Sequence, residues 1–401
     1  KVPVASYYPY SGFTPDGGIV AELVDVGIGE PEFAVANVAG KIAFYEEDML
    51  PLTAALFFST ASYVHDPDLT LTPLTPYERA SVSFLTPQEQ TSLTLAKTAG
   101  AVGAIVSYDA SYENTEGQYT PFLTNPGASQ GVPTLYVDRA TGDMIKAKIA
   151  EGASARLELV VEKHPDAFTE DLIATLPGLT DEVIIVNSHS DGTSAAQENG
   201  TLGIMALARY FAALPLSCRQ KTMIFTINPG HFHSGIGGDV ERFIRNYPEI
   251  IAKSVASLTL EHLGQTEWVD DASGFHATGM FEPGVFYGSA NLVQDLMKNA
   301  VIAEDLRRVF VARPYGVIYF GLGSPLNARG VPNAAYITGP NMMLAFGQGQ
   351  HLDKVNYSRM AAEIRSATRI AASMDATASA VLCAGMGTNS ADPTGCTPKL
   401  P

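Results

Sequence analysis

The sequence predicts an α/β protein: a mainly parallel sheet flanked by helices over residues 166–382, preceded by a smaller β-rich module over 1–165 and followed by a tail over 383–401. Three observations lead there. From Glu170 onwards, apolar runs of strand length alternate with segments of helical period, the pattern of a parallel sheet with helices on both faces. Residues 183–186, VIIV, form a continuous apolar run, as a strand covered on both faces requires. Before Glu170 the alternation gives way to short β-rich runs separated by glycine turns.

In chain order, GKIAFY (40–45) reads as a strand after a glycine turn, 93–100 as a helical stretch, and AVGAIVSY (101–108) as a second strand. GVPTLYV (131–137) is another strand, and a helix is expected over 139–151. Residues 46–90 are rich in Pro and Thr with no strong period, and read as an insertion or lid. In the second unit strands are expected at 183–187, 221–228, 254–260 and 334–338, with helices at 201–213, 239–246, 291–306 and 360–382. The helix at 201–213 follows from Ile204, Leu207, Ala208 and Phe211, which recur at helical spacing.

A chain of 401 residues with 46% hydrophobic content can bury two sizeable cores. A formal charge of −17 argues against nucleic acid or an anionic membrane as partner, leaves a small molecule or peptide as the expected one, and suits a secreted protein. No run of 18 apolar residues occurs, so no membrane span is expected. The chain opens at Lys1 without an apolar leader, as a processed or trimmed product would. Cys218 stands alone, whereas Cys383 and Cys396 flank a tail rich in Gly, Ser and Pro; a disulfide between them would staple the tail and imply an oxidising compartment, the alternative being three free thiols in a cytosolic protein. Nothing in the sequence sets the oligomeric state.

The candidate chemistry sits at predicted strand ends, where open α/β sheets bind ligands. His189 and Asp191 end the VIIV strand, and Glu198 precedes the helix at 201–213. The strand at 221–228 runs into Pro-Gly and then His231-Phe232-His233, whose two imidazoles point the same way in an extended segment. The strand at 254–260 ends in Glu261-His262. Of eight histidines, six (His189, His231, His233, His262, His276 and His351) lie in the second unit. His189, Glu198, Glu261 and one or both of His231 and His233 are the ligand types of a zinc site. The bland reading of the same residues is a set of satisfied polar side chains in a loop-lined cleft. His65 with Asp66 and Asp68 reads as a solvated loop, and Tyr315, Tyr319, Phe320 and Trp268 read as core more readily than as pocket lining. Arg313 and Arg329 are candidates to meet a substrate carboxylate, or ordinary ion-pair partners.

VAGKIAFY, AKTAGAVGAIVSYD and GVPTLYVDRATGDMIKAKI, spanning most of residues 18–160, resemble the protease-associated domain, a β-rich module of secreted and vacuolar peptidases that shapes access to a neighbouring site. Residues 170–380 resemble the co-catalytic zinc aminopeptidase family, which includes leucyl aminopeptidases, glutamate carboxypeptidases, glutaminyl cyclases and the non-catalytic transferrin receptor. The resemblance lies in HSD, QENGTLG and Leu260-Glu261-His262-Leu263-Gly264. It implies that His189 is a metal ligand oriented by Asp191, that Glu198 replaces the carboxylate bridging two metals, and that Glu261 is a further ligand. Two departures stand beside it. Where the family has consecutive glutamates, one the general base and one a ligand, this chain has His231 and Phe232 in PGHFHSGIGG; where it has its last histidine ligand, Phe346 falls in AFGQGQHLDKVN, with His351 a substitute only after a loop shift.

The expectation is a secreted hydrolase with a degenerate, one-zinc site at His189, Glu198 and Glu261, acting on an amide, peptide or ester bond with His231 or His233 as general base, since an imidazole titrates near neutrality. The alternatives are an inactive homologue that binds a partner, a metal-independent enzyme using the strand-end histidines, and a two-metal peptidase in which His233 and His351 replace the lost ligands.

Overall fold

The VIIV run sits at the centre of the larger sheet because its two sets of alternating side chains are both apolar and both find a core. Ile184 and Val186 pack with Leu207, Phe211, Val293 and Ile370 from the helices Gly200–Ala213, Asn291–Ala303 and Tyr357–Ala376. Val183 and Ile185 pack on the opposite face with Val240, Phe243, Ile251 and Leu326, from the helices Asp239–Asn246, Pro248–Lys253 and Gly323–Ala328. All seven residues of the strand Val183–His189 are buried. The computed structural model describes residues 1–28, 33, 36–47, 49–81, 88–118, 131–164, 166–230, 239–315 and 319–386.

The larger sheet has eight strands in the order Leu172–Leu176, Thr222–Asn228, Val183–His189, Ser254–Leu260, Asn333–Thr338, Gly284–Gly288, Val309–Ala312 and Ala61–His65. Thr222–Asn228, Val183–His189, Ser254–Leu260 and Asn333–Thr338 run parallel, so their carboxyl ends open at one edge. The fold is thus α/β with a mainly parallel centre, in the places the alternation predicts. Five strands of this unit escaped prediction: Leu172–Leu176, Gly284–Gly288 and Val309–Ala312 are short, and the two of the hairpin Thr266–Asp271 with Gly274–Phe281 carry too many polar residues and glycines to show a period. The helix expected over 360–382 is Tyr357–Ala376 followed by the separate turn Ser379–Leu382. It stops because the Lys221 ammonium donates to the carbonyls of Asp375 (2.8 Å) and Thr377 (2.6 Å), claiming acceptors at the helix end.

The first unit is a six-stranded sheet in the order Ser6–Tyr7, Thr134–Val137, Gly103–Tyr108, Ile42–Glu47, Ile19–Asp25 and Ser154–Leu157, with the helix Arg139–Ala150 against it. Residues from the stretch 46–90 reach across to the larger sheet. Ala61–His65 pairs antiparallel with Val309–Ala312, and Phe57 and Tyr77 pack against Tyr287, Phe310 and Ile337. This covers an edge that would otherwise leave ladder groups unpaired. His65 serves there as structure, bonded to Tyr63 and to Asp305 at 2.8 Å. Buried Asp270 also locks the two units: its Oδ2 accepts from the Ser111 amide (2.8 Å) and hydroxyl (2.9 Å), and its Oδ1 meets Arg139 at 3.4 Å.

Cys383 is buried and disulfide-bonded, and Cys218 is a free, exposed thiol; Cys396 lies outside the described residues. No helix among the described residues is long and apolar enough to cross a membrane.

Candidate functional site

Register builds the site. His189 pairs with Asn228 and Asn187 with Thr259, so the residues just past these strands gather at one edge. His189 is the last residue of its strand and is fully buried. Glu261 follows Leu260 and is fixed twice: its amide donates to the Tyr336 carbonyl (3.0 Å), and its Oε1 accepts from the Leu322 amide (2.7 Å). The other oxygen, Oε2, lies 3.8 Å from His189 Nε2. On the far side of the ring, Asp191 Oδ1 stands 3.5 Å from His189 Nδ1, while Asp191 Oδ2 accepts from the Gly230 amide at 2.7 Å.

His262 joins this pair through an unusual backbone. In an extended segment, neighbouring residues point to opposite sides. His262 instead has φ 52°, in the left-handed region, and its ring stacks edge-on to that of His189 with centroids 5.9 Å apart. Its Nδ1 lies 2.7 Å from the Thr338 carbonyl. A carbonyl can only accept, so Nδ1 carries the proton and the neutral ring presents its lone pair at Nε2. That Nε2 is buried and has no hydrogen-bond partner among the described residues. Burial, with a smaller contribution from His189, pushes the His262 pKa down to about 3 against the pull of the Thr338 bond.

The turn that carries both side chains is held from three elements. Asn199 Oδ1 accepts from the Leu263 amide (2.6 Å) and its Nδ2 donates to the Leu263 carbonyl (2.8 Å). Thr338 Oγ1 donates to the His262 carbonyl (2.8 Å), and Glu363 Oε2 accepts from the Gly264 amide (2.6 Å).

Among the described residues, His189, Glu261 and His262 are the group whose ligand atoms lie within 4.8 Å of one another. Glu198 is not in it. It ends the short helix Ala195–Glu198, and its half-buried carboxyl sits by Gly192 and Asp191. Burial chiefly, and the Asp191 charge, raise its pKa against a lowering bond from the Gly192 amide. His231 and His233 lie outside the described residues; the chain enters their segment from Gly230, which Asp191 holds. His351 is buried, with its Nε2 3.0 Å from the Ala345 carbonyl. His276 is on the exposed hairpin. Of the weaker candidates, Arg313 bonds the Gly385 carbonyl, Arg329 pairs with Glu241, and Trp268 packs under the Lys354 ammonium. His262 was visible in the sequence only as a neighbour of Glu261. Its side of the chain depends on a left-handed turn that no local pattern announces.

Beside the cluster lies a cleft of about 620 Å³ between the two units, lined by Ser6, Tyr7, Gly117 and Gln118 from the first and by Asp191, Gly192, Pro229 and Phe346, among others, from the second.

Gly321 is needed to seat Glu261. Its φ is +89°, and a β-carbon there would fall 2.2 Å from Glu261 Oε1. Gly321→Ala is expected to displace the carboxylate and, with Glu261 as a zinc ligand, would lower zinc affinity by about 10–100-fold, the usual effect of disturbing a ligand's support. Competition with a zinc-binding dye would measure it; unchanged affinity would show that Glu261 does not need this seat.

No family model and no curated protein sequence matches this chain. Solved structures do match its fold. A peptidase M28 precursor from Shewanella amazonensis aligns at TM-score 0.60 and 16% identity, over 93% of this chain and 78% of that one. A zinc aminopeptidase from Bacillus subtilis aligns at 0.57 and 15%, over 91% and 78%. An aminopeptidase from Aneurinibacillus sp. strain AM-1 aligns at 0.50 and 17%, over 95% and 78%. At such identities the likeness is one of architecture, and by that measure this chain has the zinc-aminopeptidase-like fold.

Proposed function

We propose that this protein is a secreted metal-dependent hydrolase that cuts an amide, peptide or ester bond, with one zinc ion held by His189, Glu261 and His262. The observation that carries the reading is the buried His262 Nε2, a lone pair turned towards a second imidazole and a carboxylate at the carboxyl edge of a parallel sheet. Two imidazoles and one carboxylate are a known catalytic zinc set, and a neutral His262 suits it, because ligating histidines must be deprotonated. Zinc at such a site supplies Lewis acidity, polarising a carbonyl and acidifying water.

The chain's own residues then divide the remaining work. Asp191 orients His189 through Nδ1, the usual role of a carboxylate behind a ligating imidazole. Glu198, with its raised pKa, is placed to hold a proton beside Asp191 at the cleft. His231 or His233, two of the residues that follow Gly230, is assigned as general base, and the first unit as a protease-associated domain that walls the cleft. The disulfide at Cys383 supports the extracellular placement.

Metal analysis of protein purified without chelator should find about one zinc ion per chain, as a single three-residue ligand set holds. Aminoacyl amides and esters should be cleaved, with the activity lost on chelation and restored by zinc. Two ions per chain would favour a co-catalytic peptidase, and none under zinc loading would overturn the metalloenzyme.

A further inference from the structure

We propose that the first unit supplies half of the substrate site, in which Tyr7 on one wall and Phe346 on the other form a subsite for an uncharged, apolar side chain next to the bond that is cut. The inference rests on the hydrolase reading and names the substrate class for it. Tyr7 and Phe346 are 51% and 52% exposed, yet both line the cleft between the units. Two half-exposed aromatics facing one cavity form a binding surface in which large ring areas are left for a ligand to cover.

The walls are built and joined. Ser6–Tyr7 pairs with the strand Thr134–Val137, the Ser6 hydroxyl donates to the Gln118 carbonyl (2.7 Å), and the Gly117 amide donates to the Ala5 carbonyl (2.9 Å). The second unit is tied directly to this wall, because the amides of Phe346 and Gly347 both donate to the Glu116 carbonyl, at 3.0 and 3.2 Å. Gly117, at φ +69°, lies so close that a β-carbon there would be 2.4 Å from Phe346 Cβ. The backbones that carry the two rings are therefore joined before any ligand arrives, which lowers the ordering cost of binding.

Charge selects further. Among the described residues lining the cleft, Asp191 is the one charged side chain, Glu198 lies beside it, and no lysine or arginine contributes. An acidic side chain would meet like charge without a cationic partner, a repulsive element that rejects it. The volume of about 620 Å³ falls within the range of small-molecule sites.

Titration calorimetry on the zinc-loaded full chain would test this with three doubly blocked probes that differ only in the side chain: N-acetyl-phenylalaninamide, N-acetyl-aspartate amide and N-acetyl-lysinamide. The phenylalanine probe should bind at least about tenfold more tightly than the aspartate probe, and Tyr7→Ala and Phe346→Ala should each weaken it by about tenfold, while Tyr7→Phe binds as wild type. Both rings are half-exposed, so the variants should melt as wild type does. Equal binding of the aspartate probe, unaltered affinity in both variants, tightest binding of the lysine probe, or no binding at all would each overturn the inference. Zinc content on the same samples separates the two proposals. Probe binding by a chain that takes up no zinc under loading leaves the subsite standing and the metalloenzyme refuted; zinc uptake with no probe binding does the reverse.

Discussion

Replacing His262 by asparagine should abolish tight zinc binding while leaving the fold intact. The asparagine amide can take over the donation from Nδ1 to the Thr338 carbonyl, but nothing then stands where Nε2 was. In the wild-type protein, zinc at a thousand times its dissociation constant should stabilise the fold by about 4 kcal/mol, seen as a raised melting temperature. His189→Ala, Glu261→Ala and His262→Asn should lose that shift, with affinity falling by more than the roughly 10–100-fold typical of a residue behind a ligand. Glu198→Gln is the decisive comparison, because the sequence places Glu198 in the ligand set and the structure places it beside Asp191. Retained zinc in Glu198→Gln with loss in His262→Asn assigns the third ligand to His262. The opposite pair of results would return it to Glu198 and refute the geometry argued above.

The second large effect is expected at Glu363, which anchors the turn behind the site. Its Oε1 accepts from the Tyr336 hydroxyl (2.5 Å) and from Arg359 Nε (2.7 Å), while its Oε2 takes the Gly264 amide. Glu363 and Arg359 are both buried, and the Arg359 ring neighbour is Phe281, 5.1 Å from the guanidinium to the centroid. Although burial pulls its pKa down, Tyr336 and Glu363 together raise the Arg359 value above the ordinary arginine range, with Glu363 the carboxylate bonded to its Nε. Glu363→Ala strands this charge and should cost about 3–5 kcal/mol in denaturant unfolding. Glu363→Gln should fall between that variant and wild type. The pair Glu363→Leu with Arg359→Met should recover much of the loss, because removing both charges is far cheaper than removing one. A loss below about 1 kcal/mol in Glu363→Ala would mean that water reaches Arg359 and that the turn is held by Asn199 and Thr338 instead.

Local pattern alone determined a good deal of this protein. The double-sided apolar run at 183–186, the helical spacing of Ile204, Leu207 and Phe211, and strand ends carrying His189 and Glu261 are short-range properties of the chain. They are legible because side-chain direction repeats every two residues in a strand and every 3.6 in a helix. The carboxyl-end location of the site follows from the same alternation. What the alternation could not contain is the set of contacts made across long separations. Ala61–His65 reads as part of a featureless Pro- and Thr-rich stretch, and becomes a strand because the edge at Val309–Ala312 offers it a ladder. His262 reads only as one of the strand-end histidines, and stands beside His189 in a left-handed turn bonded by Asn199, Thr338 and Glu363, which are 64, 76 and 99 residues from their partners in it. Phe346 and Tyr7, far apart in the chain, face one cleft because Glu116 and Gly117 pin the loop between them. Period and composition describe what a segment can become; only the groups that arrive from elsewhere in the chain decide which way a given side chain finally points.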